Sequence, residues 1–229
     1  MPEHRLQARL APRLVLFDLD GTLVDSVMDL AGAAEQMMRT LGRTPPTLAC
    51  VRRYVGNGIE RLVHRCLTAD MHADAPAADF LPALEVFMVS YAQHNAQRSR
   101  VYEGVLEGLE ATSRRALHMG CVTNKSERFT RPLLAALGLD HFFEIVVCGD
   151  TTAHKKPHPA PLLFAMEHFS LTPAQVLFVG DSANDVQAAR AAQTAVVCVD
   201  YGYNHGDDIA DSKPDAVLSS LADLAALLG

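Results

Sequence analysis

Leu14-Val15-Leu16-Phe17 is an unbroken apolar run that stops at Asp18-Leu19-Asp20-Gly21, and similar short runs recur at residues 121–122, 145–148, 176–179 and Ala195–Val199. Stretches of helical periodicity separate them. A chain that alternates short apolar strands with helices has few ways to bury both, and the pattern predicts an α/β fold: a doubly wound, Rossmann-like parallel sheet with helices on both faces. Helices are expected over residues 106–118, 125–137, 161–169, 184–192 and 220–228, and an edge strand over Ala216–Leu218. The pattern changes after Asp25. Helical periodicity dominates residues 27–41, 59–68 and 80–93 with no strand-like run between them, which predicts a small inserted domain of about four helices. The expected organisation is a Rossmann-like core of residues 1–25 and 100–229 with a helical insert at 26–99, Tyr102-Glu103-Gly104-Val105 being the return linker.

The acids are placed where such a fold binds ligands. Residues i and i+2 of a strand share a side, and open α/β sheets bind ligands beyond the carboxyl ends of their strands. Asp18 and Asp20 can therefore face one small substrate. The run at 176–179 ends the same way, in Gly180-Asp181-Ser182-Ala183-Asn184-Asp185. Asp and Ser also form turns and cap helices, and Ser182 and Asn184 are read as caps. Asp25 is either a first-turn helix acid or a partner of the site. Four carboxylates at two strand ends repel in a low-dielectric site unless a cation lies among them. With oxygen donors and no His or Cys at short spacing, the expected ion is Mg²⁺; the spaced acids of a calcium loop are missing.

Asp18-Leu19-Asp20-Gly21-Thr22 resembles the first motif of the haloacid dehalogenase superfamily of phosphohydrolases. Val122-Thr123-Asn124, Lys156-Pro157-His158-Pro159 and Gly180-Asp181-Ser182-Ala183-Asn184-Asp185 resemble the other three, in the family's order. The resemblance implies Mg²⁺-dependent hydrolysis of a phosphomonoester through an aspartyl-phosphate. It makes Asp18 the nucleophile, Asp20 the general acid and base, and Lys156, rather than Lys155, the cation beside Asp18 and the phosphoryl group. Thr123 and Asn124 become phosphate-binding residues. Asp18, the Asp20 carbonyl and Asp181 become metal ligands, with Asp185 supporting them. The insert becomes a helical cap over the site.

Two segments bear on the substrate. Tyr54-Val55-Gly56-Asn57-Gly58 is either a loop that reaches the substrate, with Arg53, Gly56 and Asn57 setting specificity, or an ordinary turn between helices. Tyr201-Gly202-Tyr203-Asn204-His205-Gly206 is, by composition, a glycine-rich loop; it is similar to a stretch of phosphoglycolate phosphatases, which implies 2-phosphoglycolate as substrate. A sugar or amino-sugar phosphate, a sugar-phosphate mutase and an aspartate phospho-acceptor module are the alternatives.

Composition narrows the rest. A net charge of −7 without clustered Lys and Arg argues against a nucleic-acid surface. No apolar run approaches a membrane span, and Met1-Pro2-Glu3-His4-Arg5 lacks the apolar segment of a signal peptide. Cys50, Cys66, Cys121, Cys148 and Cys198 form no CxxC pair and read as buried free thiols. The expectation is a cytoplasmic monomer or homodimer that acts on a small phosphorylated metabolite.

Overall fold

The computed structural model describes residues 11–229, so the reading of residues 1–5 falls outside the described residues. The chain opens with strand β1 (Leu14–Phe17) and the short β2 (Val24–Asp25). Helices α1 (Val27–Thr40), α2 (Leu48–Tyr54), α3 (Ile59–Thr68) and α4 (Ala77–His94) follow before β3 (Arg100–Val101). The remainder alternates: α5 (Val105–Ser113), β4 (His118–Val122), α6 (Glu127–Ala136), β5 (Ile145–Val147), α7 (Ala160–His168), β6 (Val176–Gly180), α8 (Ala183–Ala191), β7 (Ala195–Val199), β8 (Ala216–Leu218) and α9 (Leu224–Leu227).

Six strands form one parallel sheet in the order β5-β4-β1-β6-β7-β8. Because β1 lies between β4 and β6, the chain is wound to both sides of it, and a crevice opens beyond its carboxyl end. Side chains along β1 alternate between two apolar layers. Val15 and Phe17 pack with Val105, Leu109, Leu133 and Val179 on one face, and Leu14 and Leu16 with Leu162, Ala165, Phe178 and Val186 on the other. All four residues are fully buried, which is why the run shows no polar alternation. Each such side chain contributes roughly 1.5–3 kcal/mol.

Three local expectations need correction. Helix α5 ends at Ser113 instead of 118, because Ala116 turns the chain at φ 54° and His118–Val122 pairs with Leu14–Phe17 as a strand. The stretch 220–228 is a 3-10 turn at Leu221–Asp223 followed by the four-residue α9, not one helix. The β2–β3 pair, Val24 opposite Val101 and Asp25 opposite Arg100, is too short to leave a periodic trace in the sequence. It closes the neck through which α1–α4 leave and rejoin the sheet.

Helices α1–α4 bury an apolar cluster of their own, with Leu30, Ala33, Met37, Val51, Leu62, Phe87 and Tyr91 among its members. Phe129 of α6 and Tyr203 also belong to that cluster, so two aromatics of the sheet portion seat the helices above the crevice. Among the described residues, no helix is long and apolar enough to cross a membrane.

Candidate active site

Strand geometry persists past the end of β1, since the Asp18 amide still donates to the Val179 carbonyl at 2.9 Å. It delivers the Asp18 carboxylate into the crevice. Asp181 follows β6 directly, and Asp185 sits in the first turn of α8. One oxygen from each of Asp18, Asp181 and Asp185 lies within 4.8 Å of the other two, and all three residues are buried. Lys156 Nζ bridges two of them, at 2.7 Å from Asp18 and 2.8 Å from Asp185. The second Asp185 oxygen accepts hydrogen bonds from the Ser182 amide and hydroxyl at 3.0 and 2.7 Å, which fixes the turn between β6 and α8.

Asp181 is held differently. Its carboxylate accepts the Thr22 hydroxyl at 2.9 Å and the Tyr203 amide at 2.8 Å. Gly21 and Gly202 press their backbones against it, and a Cβ at either would overlap its carboxylate; Gly21 also has φ 95°. The segment 201–206 is thus part of the site. Its glycine-rich composition alone could not show this. The Tyr203 hydroxyl also donates to Asp25 at 2.8 Å and accepts from the Ser26 amide at 2.9 Å. Asp25 is therefore a partner of the site as well as of the first turn of α1.

Asp20 stands apart from the three acids. Its carboxylate accepts both the Ser26 hydroxyl and Lys125 Nζ, the latter at 3.0 and 3.1 Å. Lys125 was not foreseen as a site residue. It follows Thr123-Asn124 directly, a lysine at a strand end beside a motif, but its sequence context reads as the start of α6. Thr123 faces the crevice, whereas the Asn124 side chain is spent elsewhere: its Nδ2 donates to the Gly56 and Lys156 carbonyls at 3.0 and 2.9 Å, and its Oδ1 accepts the Lys156 amide at 2.9 Å. Asn124 joins three loops. Lys155 points outward to Glu60 at 3.1 Å.

A cavity of about 40 Å³ separates these strand ends from the helices. Its polar half is Asp18, Asp20, Thr123, Asn124 and Lys125, and its other half is Leu30, Val55, Gly56, Gly58, Ile59 and Leu62. The 54–58 segment is thus a loop that descends to the site. Buried Arg65 shapes it by donating to the Tyr54 carbonyl at 2.6 Å and to Asn57 Oδ1 at 2.8 Å; burial and neighbouring Arg61 push the Arg65 pKa down to about 10. Of the residues expected to set specificity, Gly56 lines the cavity and the other two do not. Arg53 exchanges hydrogen bonds with the backbone carbonyl and ring of His205, and Asn57 meets Asn184 at 3.3 Å.

The sequence profile of the haloacid dehalogenase-like hydrolases matches residues 15–199. The chain belongs to this family. It is 48% identical to a phosphoglycolate phosphatase of Nitrosococcus oceani, over 95% of this chain and 96% of that one. A phosphoglycolate phosphatase of Thiobacillus denitrificans is also 48% identical, over 94% and 95% of the two chains. Among solved structures, a predicted phosphoglycolate phosphatase from Haemophilus somnus superposes with a TM-score of 0.87 at 35% identity, covering 94% of this chain and 97% of that one.

The electrostatics of this hydrolase fit a bound cation. Burial raises the Asp18 pKa well above the usual carboxylate range; Lys156 opposes the shift, and Asp185 and Asp181 add to it. Burial, then Asp185, pushes Asp181 up to about 7. Burial lowers the Lys156 pKa, but Asp18 and Asp185 outweigh it and hold the ammonium charged. Three buried carboxylates facing one ammonium leave two negative charges uncompensated, the charge of one divalent ion. The donors are all oxygen, as a hard cation requires.

Proposed function

We propose that this hydrolase is a Mg²⁺-dependent phosphomonoesterase that cleaves 2-phosphoglycolate to glycolate and phosphate through an aspartyl-phosphate on Asp18. The observation that carries the reading is the contrast between two carboxylates at one strand end. Asp18 faces Lys156, Asp181 and Asp185, whereas Asp20 faces Lys125 and Ser26. Two acids in different surroundings can take two roles. Asp18 attacks phosphorus and the ester P–O bond breaks, while Asp20 gives its proton to the leaving oxygen. Asp20 then takes a proton from the water that cleaves the aspartyl-phosphate, restoring Asp18.

Asp18, the Asp20 carbonyl and Asp181 are the residues that would hold Mg²⁺, which supplies positive charge to the phosphoryl oxygens. Asp185 keeps Lys156 against Asp18. The Thr123 hydroxyl and the Asn124 amide offer hydrogen bonds to a phosphoryl group whose charge must be neutralised for reaction. Residues 26–99 act as a cap on the core formed by the rest of the chain, excluding bulk water when closed and releasing product when open.

Three features favour glycolate as the leaving group: the cavity is small, the cap wall is mostly apolar, and α3 begins on that wall at Gly58, bringing the positive end of its dipole toward an anion. The names of the relatives agree. Five free cysteines, four of them buried, accord with a reducing, cytoplasmic setting. The test is phosphate release from 2-phosphoglycolate, hexose phosphates, amino-sugar phosphates and nucleotides, with Mg²⁺ and with chelator. A Mg²⁺-dependent preference for 2-phosphoglycolate is expected. Equal turnover across the panel would discard the substrate, and no release from any ester would discard the activity.

A further inference from the structure

Lys125 has no assigned partner in the chemistry above beyond Asp20, yet it is one of the most completely enclosed charges in the molecule. Its side chain is 3% exposed, it lies on the cavity wall, and its ammonium stands 5.1 Å from the centre of the Tyr91 ring. Among the described residues lining the cavity it is the only cation. The other basic groups nearby are committed elsewhere: Lys156 to Asp18 and Asp185, Arg52 to the Tyr201 and Gly202 carbonyls, Arg65 to the loop it shapes, and Lys155 to Glu60.

We propose that Lys125 is the residue that selects the substrate, by pairing with a carboxylate on the leaving group one carbon away from the bridging oxygen. The proposal rests on the assignment of Asp20 as the proton donor to that oxygen. A cation in hydrogen-bond contact with the proton donor necessarily stands close to the bridging oxygen while the phosphoryl group faces Asp18. In 2-phosphoglycolate a single methylene separates that oxygen from the carboxylate, so the anion reaches Lys125 without moving the phosphoryl group. Asp20 is the only carboxylate paired with Lys125 among the described residues; its two oxygens lie 3.1 and 3.0 Å from the ammonium, and a lysine has three donors to share. The rest of the wall sharpens the choice. Leu30, Val55, Ile59 and Leu62 give a polyol leaving group few hydrogen-bond partners, whereas a compact anion needs only the ammonium and the first turn of α3. A charged pair enclosed in this way is stronger than the same pair in water.

The test compares 2-phosphoglycolate with ethyl phosphate, which has the same skeleton without the carboxylate, using the full chain with Mg²⁺. Replacing Lys125→Met should lower kcat/KM for both esters, because Lys125 also orients Asp20. The fall should be at least ~10-fold greater for 2-phosphoglycolate, as the loss of a hydrogen bond between charged groups implies, and the excess should lie in KM. Lys125→Arg, which keeps the charge, should retain part of the preference. If Lys125→Met fails to fold, Lys125→Gln, which keeps length and polarity without charge, carries the same comparison. Equal falls for the two esters would reduce Lys125 to a positioning residue for Asp20 and overturn the proposal alone. Failure of the unsubstituted protein to release phosphate from either ester would overturn the reading of 2-phosphoglycolate as substrate, and this proposal with it.

Discussion

The cavity has a floor of charged strand ends and a roof of helices, and the two hold their residues by different means. On the floor, Lys156 meets Asp18 and Asp185 at 2.7 and 2.8 Å, all three of them buried, and Asp181 is wedged between two glycine backbones. The roof touches the floor through scattered and mostly longer bonds. Among them are Asn57 to Asn184 at 3.3 Å, Arg53 to the His205 carbonyl at 3.3 Å, Arg52 to the Tyr201 and Gly202 carbonyls at 3.1 and 3.2 Å, the Gly56 carbonyl to Asn124 at 3.0 Å, and the half-exposed Lys155–Glu60 pair at 3.1 Å. A floor of enclosed charge cannot rearrange without exposing unpaired ions. A roof held by scattered single hydrogen bonds and an exposed ion pair, each worth about 0–3 kcal/mol, can separate and return. The contrast supports the proposal of chemistry on the floor and admission through the roof.

The sharpest way to break the contrast is at the proposed nucleophile. Asp18→Asn keeps the shape of the side chain and removes its charge, so phosphate release should fall by ~10⁴-fold or more with the circular dichroism spectrum unchanged. Near-normal, Mg²⁺-dependent turnover would show that the floor is not where the chemistry occurs. Two adjacent lysines test the difference in stability. Lys156→Met leaves Asp18 and Asp185 buried without their cation and should cost about 3–5 kcal/mol in denaturant unfolding. Lys155→Met removes a surface pair and should cost about 0–1 kcal/mol. Similar losses for the two would mean that the floor and the roof are held alike.

Titration extends the comparison, because the floor holds more negative charge than Lys156 can offset. With Asp181 near 7 in the folded chain and about 3.9 when unfolded, the folded protein binds more protons through that interval. Its stability should therefore fall as pH rises from about 4 to about 7 and level off above. Asp18 acts in the same direction. The melting temperature in chelator should decline over that range, and Mg²⁺ should reverse the decline by supplying the missing charge. A flat or rising profile in chelator would mean that the floor is neutralised by other means.

The floor was far more legible in the sequence than the roof, for a physical reason. Asp18, Asp20, Asp181 and Asp185 are placed by strand ends a few residues away, so an apolar run followed by an acidic turn is enough to locate them. Lys156 depended on the family motif, since nothing local distinguishes it from Lys155. Lys125 escaped because its one ion-pair partner, Asp20, lies 105 residues away, and a lysine before Ser126-Glu127 looks like a solvated helix start. Arg53 is hard to place from sequence because its backbone lies on the approach to the loop while its side chain turns to His205. Strand β4 was shortened for a similar reason. Its pairing with β1 is non-local, and Met119 and Cys121 suit a helix as readily as a strand.

The smallest expected effect on turnover lies where floor and roof join. Tyr203 belongs to both: its amide holds Asp181, and its hydroxyl donates to Asp25 while accepting the Ser26 and Val27 amides at the start of α1. Ser26 in turn holds Asp20. Tyr203→Phe leaves the amide in place and removes only the hydroxyl, so the metal ligands should be undisturbed while two backbone donors at the foot of the roof lose a partner. A cost of about 1–3 kcal/mol is expected in unfolding. Its signature in catalysis should be a change in the Asp20 side of the reaction, a lower kcat with unaltered dependence on Mg²⁺ concentration, because the path from the hydroxyl runs through Ser26 to Asp20 and not through Asp181. A weakened Mg²⁺ dependence would instead show that the hydroxyl supports the floor directly, and that the join between the two regions lies deeper than the first turn of α1.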